Sequence, residues 1–509
     1  MVNAILQTAR SFEERIAIEE TNGNSVSYGE LCNNIRAIAS NLARAGFDKG
    51  DRVLFLLKPG VQSLTAVLAI LQLGGSVVFA DPAMGKEIFM SRMTLAKPHW
   101  ILVDSLLLFA QGNLLLRAYL RKHNWELPDV SKMTGHLIVV GNAPLPRRAL
   151  SFRELLQPGH EIDFAQVSES DEIAVVFTSG TTDVPKGVVH SVASITATAK
   201  LIERELDIQP DDVFLTNHLF LILPALAVGA KIIVSDQRKF SAPKLLIQLR
   251  KYRITKLFGI PYEFQQIIDE CRKTNRKLPS DLRAITLGAA PVYAAFLERF
   301  QEILPESTNA YSVYGMSEIL PVASVDLHEK VQFEGEGDLL GRVLPGVTVR
   351  ITDEGEIAVS GISLFDHYLG MEATSEHLSG DLGKYLPDGR LVLLGRKKDM
   401  IIKGHHNIYP TIFEPVIRKI DGVKNCALVG MYDHAKQNER VILVIETVSS
   451  VNEKKFREFL IKELANGAQS IDMYAQPDSI VFMQIPVSGR SCKVDRVLLS
   501  QKIEQALRK

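Results

Sequence analysis

Over roughly the first 240 residues, stretches with helical spacing alternate with short β-branched runs, and this alternation constrains the fold more than any other feature. Residues 27–45 carry a helical pattern, 52–57 a strand, 61–73 a helix and 76–79 a strand. A helix between two buried strands is the crossover that a parallel pair requires, so the pattern predicts βαβ units and a mostly parallel sheet. Further strands of this kind are expected at 231–234, 254–259 and 284–287. From about residue 337 the texture changes to short strands with glycine-rich turns, at 341–349, 355–359 and 390–395. Beyond about residue 398, strand and helix patterns return at 425–430, 440–446 and 453–464. The expected architecture is α/β. A large N-terminal domain, 1–396, holds mostly parallel sheets packed with helices and a small β-rich part at about 337–396. A small C-terminal α+β domain, 397–509, joins it near 396–399.

Composition narrows the class. At 509 residues the chain exceeds what one core organises, in line with two domains. A formal net charge of −1 lacks the basic excess of a general nucleic-acid binder. Cys32, Cys271, Cys426 and Cys492 form no CxxC pair, so neither a zinc site nor a disulfide framework is indicated. Reduced thiols in the cytoplasm are the expectation. The first residues lack the apolar stretch of a secretory signal. Residues 213–230 carry no charge and approach the length of a membrane span. Asn217, His218 and Pro224 interrupt them and Lys231 follows, so a buried strand-turn-helix is expected and no transmembrane segment.

The chemistry concentrates in the run FTSGTTDVPKGV at 177–188. Thr178, Ser179, Thr181 and Thr182 supply hydroxyls, Gly180 permits a tight exit from the strand expected at 173–177, and Lys186 adds a point charge. Hydroxyls, glycine-exposed amides and an ammonium suit the oxygens of a polyphosphate. A Walker A loop is excluded, since Pro185 precedes the lysine and Gly187 follows it. The bland alternative is a Ser/Thr/Gly surface loop.

Further constellations lie downstream. Tyr314, Gly315, Ser317 and Glu318 fall within YSVYGMSE, where an aromatic could stack a purine and a carboxylate could hold Mg²⁺. Gly288, Ala289 and Ala290 follow the strand at 284–287 and offer small residues for a planar ring. Asp381 sits in a Ser-Gly-Asp run read as a turn, where its oxygens could accept from a ribose diol. Taken singly, each of these is more often packing than site. Lys493, in the loop SGRSCKVDR, reads on its own chemistry as a solvated amine.

Their order and spacing carry a resemblance. TSGTTDVPKGV, YGMSE, SGDLGKYLPDGRLVLLGRKKDMIIKG and HNIYPTIFE resemble, over essentially the whole chain, the motifs of the adenylate-forming superfamily: acyl-CoA synthetases, luciferases and peptide-synthetase adenylation domains. The resemblance implies ATP- and Mg²⁺-dependent activation of a carboxylic acid to an acyl-adenylate. Thr178, Ser179, Gly180, Thr181, Thr182 and Lys186 would cradle the β- and γ-phosphates, and Glu318 would hold Mg²⁺. Ser317 would reach the α-phosphate. Gly288, Ala289, Ala290, Tyr314 and Gly315 would line the adenine, with Asp381 and Arg396 on the ribose. Lys493 would bridge carboxylate and α-phosphate, and His218 would lie beside the acyl carboxylate. Lys398 falls at the family's hinge, about which the small domain turns, and Gly404 would border a pantetheine tunnel.

Two departures from the family pattern stand out. Asp183 occupies a position where glycine is usual, and Cys492 precedes Lys493 where glycine is usual. The acceptor is expected to be CoA or the phosphopantetheine of an acyl carrier protein, and the acid hydrophobic or fatty, with an apolar pocket at 219–230. A narrower resemblance, in LFGIP, GAAPV and YGMSEILPV, is to the β-lactone synthetases of olefin biosynthesis, where a substrate β-hydroxyl displaces AMP. The two departures leave a third alternative, a nucleotide-binding scaffold without turnover.

Overall fold

The computed structural model describes all residues except 81–85, 113–129, 131–132, 142–148, 160–165, 178–185, 236–239, 290–291, 293, 404–405, 434–437, 449–450, 489–492 and 508–509. Two large sheets dominate the N-terminal part. The first has eight strands among the described residues, built on parallel pairs such as Arg52–Leu56 with Ser76–Phe79 and with Trp100–Asp104. Glu172–Phe177 joins it parallel to Ser76–Phe79, and Gly187–Ser191 returns antiparallel. The helix Tyr28–Arg44 packs against Val61–Gln72. Its start is fixed by Ser27, whose hydroxyl accepts from the Glu30 amide while the Glu30 carboxylate accepts from the Ser27 amide.

The second sheet has 13 strands among the described residues. One half is parallel and contains Val213–Leu215, Lys231–Val234, Lys256–Gly259, Ala284–Leu287 and Asn309–Met316. The other half is antiparallel, from Asp338–Val343 to Leu391–Arg396. The hairpin Asn309–Met316 and Ile319–Asp326 is the seam between the halves. The β-rich residues expected as a part of their own therefore extend the large sheet. Expected strand 341–349 is in fact two strands, Asp338–Val343 and Val347–Ile351, separated by a turn at Gly346, whose φ is +85°. Asp381 lies within the strand His377–Tyr385 rather than in a turn, although Gly380 beside it keeps φ +72°.

The uncharged segment folds as the strand Val213–Leu215 and the ten-residue helix Leu219–Val228, capped by Gly229 in the left-handed region. Leu221, Ile222, Ala225 and Leu226 are buried, and the helix packs on Val2–Ser11. Its apolar residues thus serve the core, where each fully buried Leu or Ile contributes roughly 1.5–3 kcal/mol. Among the described residues no helix is long and apolar enough to cross a membrane.

After the 3-10 turn Lys397–Asp399 comes the smaller C-terminal domain. Its sheet pairs Val423–Asp433 antiparallel with Asn438–Thr447, and the latter parallel with Ser479–Phe482. The helices Pro410–Ile417, Glu453–Asn466 and Arg496–Leu507 accompany it. Cys32, Cys271 and Cys426 are buried free thiols, and burial pushes Cys426 up to about 12.

Candidate active site

The strand Gly187–Ser191 begins directly after Lys186, and the two-residue strand His367–Tyr368 pairs with it, Tyr368 opposite Val188. This pairing sets the Lys186 ammonium 5.1 Å from the centre of the Tyr368 ring. The Tyr368 hydroxyl donates to Glu318 Oε1 at 2.7 Å. Burial, together with Glu318, raises the phenol above its ordinary range and keeps it a donor. The Phe365 amide donates to the Glu318 carbonyl at 2.7 Å, which fixes the hairpin turn from the main chain as well. His377 borders the same rings, and burial lowers its pKa.

A second cluster is built on the paired strands His377–Tyr385 and Leu391–Arg396. Asp381 and Arg396 face each other across paired strands, with Arg396 Nε 2.7 Å from Asp381 Oδ1. Tyr314 donates to Asp381 Oδ2 at 2.7 Å, and burial raises its phenol well above the usual value. Both Asp381 oxygens, expected to meet a diol, thus already hold protein donors, and the carboxylate is only 3% exposed. Tyr314 and Glu318 belong to one hairpin, so the two clusters share a single element.

At the end of the strand Ala284–Leu287, Ala289 adopts φ +62°, a strained conformation for a residue with a Cβ. A Cβ on buried Gly288 would come within 3.2 Å of the Phe258 ring, so the backbone packs closely on that ring there. His218 precedes the helix Leu219–Val228, with its ring 5.1 Å from Phe258 and 5.3 Å from Phe220. It opens on a cleft of about 190 Å³ lined by Leu215, Phe240, Leu257, Phe264 and Glu263 among others. Burial raises the Glu263 carboxyl above its ordinary pKa. No residue of 219–230, the segment expected to form an apolar pocket, lines this cleft; Asn217, Ser235, Ser241 and Gln248 line it beside the apolar side chains.

Several expected residues lie outside the described ones: Thr178, Ser179, Gly180, Thr181, Thr182, Asp183, Ala290, Gly404 and Cys492. Lys493 is described in its backbone, where Lys493–Val494 pairs with Val487–Ser488. Ser317 is exposed at the hairpin turn and Gly315 precedes it in the strand. Lys398 is exposed in the turn Lys397–Asp399.

Sequence reasoning missed Tyr368 and His190. His190, buried on the strand after Lys186, places Nε2 2.8 Å from the Ser317 carbonyl and so braces the turn that carries Glu318. The only local signal was an aromatic or histidine beside a motif, which is common in any strand.

The residues present fit a nucleotide and a hard cation. Glu318 offers one side-chain oxygen pair on the hairpin turn, on the other side of Tyr368 from Lys186. Such a donor set suits Mg²⁺, which prefers one or two carboxylates with phosphate oxygens over a protein cage.

An olefin beta-lactone synthetase of Xanthomonas campestris pv. campestris is 26% identical over 490 residues, 87% of this chain and 84% of that protein. A 2-succinylbenzoate–CoA ligase of Bacillus cereus is 25% identical and covers 99% of both chains. The solved o-succinylbenzoate coenzyme A synthetase of Bacillus subtilis, in complex with ATP and magnesium ion, superposes with a TM-score of 0.77 at 20% identity, covering 98% of this chain and 99% of that one. The family model described as AMP-binding enzyme matches residues 5–369, well over half of the chain. The protein belongs to the AMP-binding enzyme family, within the adenylate-forming superfamily.

Proposed function

We propose that this enzyme activates a hydrophobic or fatty carboxylic acid with ATP, releasing pyrophosphate, and passes the acyl group to a thiol. The observation that carries this reading is the convergence of Lys186 and Glu318 on Tyr368, on the same hairpin that holds Tyr314 against Asp381. A carboxylate oxygen would attack the α-phosphorus, and pyrophosphate would leave. The barrier is largely charge repulsion and positioning, so cationic groups and fixed donors have the most to contribute. Mg²⁺ held beside Glu318 would supply charge neutralisation. Thr178, Ser179, Gly180, Thr181, Thr182 and Lys186 would hold the β- and γ-phosphates, and Ser317 would donate toward the α-phosphate. Gly288, Ala289, Ala290, Tyr314 and Gly315 would bound the adenine.

The ribose would lie against the Asp381–Arg396 pair, with Asp381 exchanging a protein donor for a ribose hydroxyl. His218 and the adjoining cleft would take the acyl group, with Leu215, Phe240, Leu257 and Phe264 against its apolar part and Asn217, Gln248 and Glu263 within reach of any polar one. Lys493 would bridge the carboxylate and the α-phosphate. The division 1–396 and 397–509 then has a mechanical meaning: rotation about Lys398 would withdraw Lys493 and bring Gly404 toward a pantetheine arm. The acceptor would be CoA or the phosphopantetheine of an acyl carrier protein, in a reducing cytoplasm where the buried thiols stay free.

A pyrophosphate-release screen over fatty, β-hydroxy, aryl and amino acids tests the reading. Release with an apolar acid is expected, and Lys493→Ala should abolish it while ATP binding persists, a loss on the order of several kcal/mol in the transition state. Undiminished hydroxamate trapping in that variant would remove Lys493 from the mechanism. Absence of acid-dependent exchange across the panel would favour a scaffold. The second reading, lactone closure, is favoured by the 26% identity to the Xanthomonas campestris synthetase. Lactone plus AMP from a β-hydroxy acid and ATP without CoA would establish it.

A further inference from the structure

We propose that Tyr368 is a positioning residue that holds the phosphate-side lysine and the metal-side glutamate apart, keeping both available to Mg·ATP; this rests on the roles given above to Lys186 and Glu318. A lysine and a glutamate beside one another would ordinarily close into a direct ion pair and spend their charges on each other. Here no such pair forms between them. The ammonium lies against the Tyr368 ring at 5.1 Å, and the carboxylate takes the Tyr368 hydroxyl at 2.7 Å. One side chain thus satisfies a cation through its ring and an anion through its hydroxyl.

The placement of the tyrosine is overdetermined. Its strand pairs with Gly187–Ser191, and the Leu369 amide donates to the Gly187 carbonyl at 2.7 Å. On the other side the Phe365 amide holds the Glu318 carbonyl at 2.7 Å. The Phe365 ring, 4.8 Å away, and the His377 ring, 6.1 Å away, brace the phenol. Segment 365–369 therefore ties the end of the phosphate loop to the hairpin turn through both main chain and side chain.

Two substitutions separate the two contacts. Tyr368→Phe keeps the ring under Lys186 and removes the donor to Glu318, whereas Tyr368→Leu removes both. Binding of a fluorescent ATP analogue to the full-length protein is measured across a Mg²⁺ titration, beside thermal melting. For Tyr368→Phe the Mg²⁺ concentration at half-maximal binding should rise about 10-fold, the size expected for a lost hydrogen bond to a charged group, with affinity at saturating Mg²⁺ little changed. Tyr368→Leu should also weaken binding at saturating Mg²⁺. A Mg²⁺ titration of Tyr368→Phe that overlays the unsubstituted protein would overturn the proposal, as would a lowered melting temperature with no change in binding. If Tyr368→Leu does not fold, Tyr368→Phe alone still decides. An unsubstituted protein that binds no Mg·ATP would instead refute the functional reading itself.

Discussion

His190 works as a neutral ring. A carbonyl can only accept, so the 2.8 Å contact with Ser317 places the proton on Nε2, and Nδ1 lies 3.2 Å from the Ser194 hydroxyl. Burial lowers its pKa below the ordinary 6.5. The unfolded chain takes up that proton near the ordinary value and the folded chain only at lower pH. The folded state therefore binds fewer protons in between, and stability falls as pH drops from about 6.5 through the lowered folded value. His190→Gln should flatten that acid slope in urea midpoints measured between about pH 5 and 8, while costing about 1–3 kcal/mol at neutral pH through the poorly satisfied Ser317 carbonyl. An unchanged slope would show that another group titrates. The motifs made Lys186, Glu318, Tyr314, Asp381 and Arg396 legible because each belongs to a short run with its own chemistry. His190 and Tyr368 were not legible, because their partners Ser317 and Glu318 lie 127 and 50 positions away in the chain.

Elements were easier to read than their joins. Periodicity located the strands at 76–79, 231–234 and 284–287 to the residue, since a buried strand declares itself through a continuous apolar run. The seam hairpin was not legible as a seam, because its pairing with Asp338–Val343 depends on backbone approach rather than side-chain pattern. Gly341 shows why the approach is possible. Its φ is +86°, and a Cβ there would stand 2.1 Å from the Ser324 carbonyl oxygen. Gly341→Ala should destabilise by about 2–5 kcal/mol, combining left-handed strain with a backbone clash. Gly355→Ala is the control: φ is +80° but nothing lies within 4 Å, so about 1–2 kcal/mol is expected. Equal urea midpoints for the two variants would mean that the clash relaxes and that the seam is looser than its geometry.

At the scale of the molecule, the turn Lys397–Asp399 is anchored on either side of Lys398. Lys397 Nζ lies 2.5 Å from Glu354 and 2.9 Å from Glu356, both in the large part. Asp399 lies 3.4 Å from Arg496, which opens the terminal helix three residues after Lys493. Arg496 also pairs with buried Glu414 at 2.7 Å and donates to the Leu428 carbonyl at 2.6 Å. The position of Lys398 was legible from its motif, but the connection from turn to lysine loop was not, because it passes through side chains distant in sequence. The two ends of this connection should respond differently. Arg496→Ala removes the closest cation from the Glu414 carboxylate, 2% exposed, which keeps the Leu428 amide at 2.9 Å and Arg418 at 3.6 Å, and should cost about 1–3 kcal/mol of stability in the C-terminal domain. Asp399→Ala breaks only a partly solvated pair worth about 0–1 kcal/mol, so melting should barely move. If the Asp399–Arg496 contact helps select one orientation of the small domain, Asp399→Ala should alter the ratio of acyl-adenylate formation to thiol transfer, measured separately by pyrophosphate release and thioester yield. Both rates falling together, in step with stability, would reduce the contact to a structural pair; a changed ratio at constant stability would tie it to the rotation proposed about Lys398.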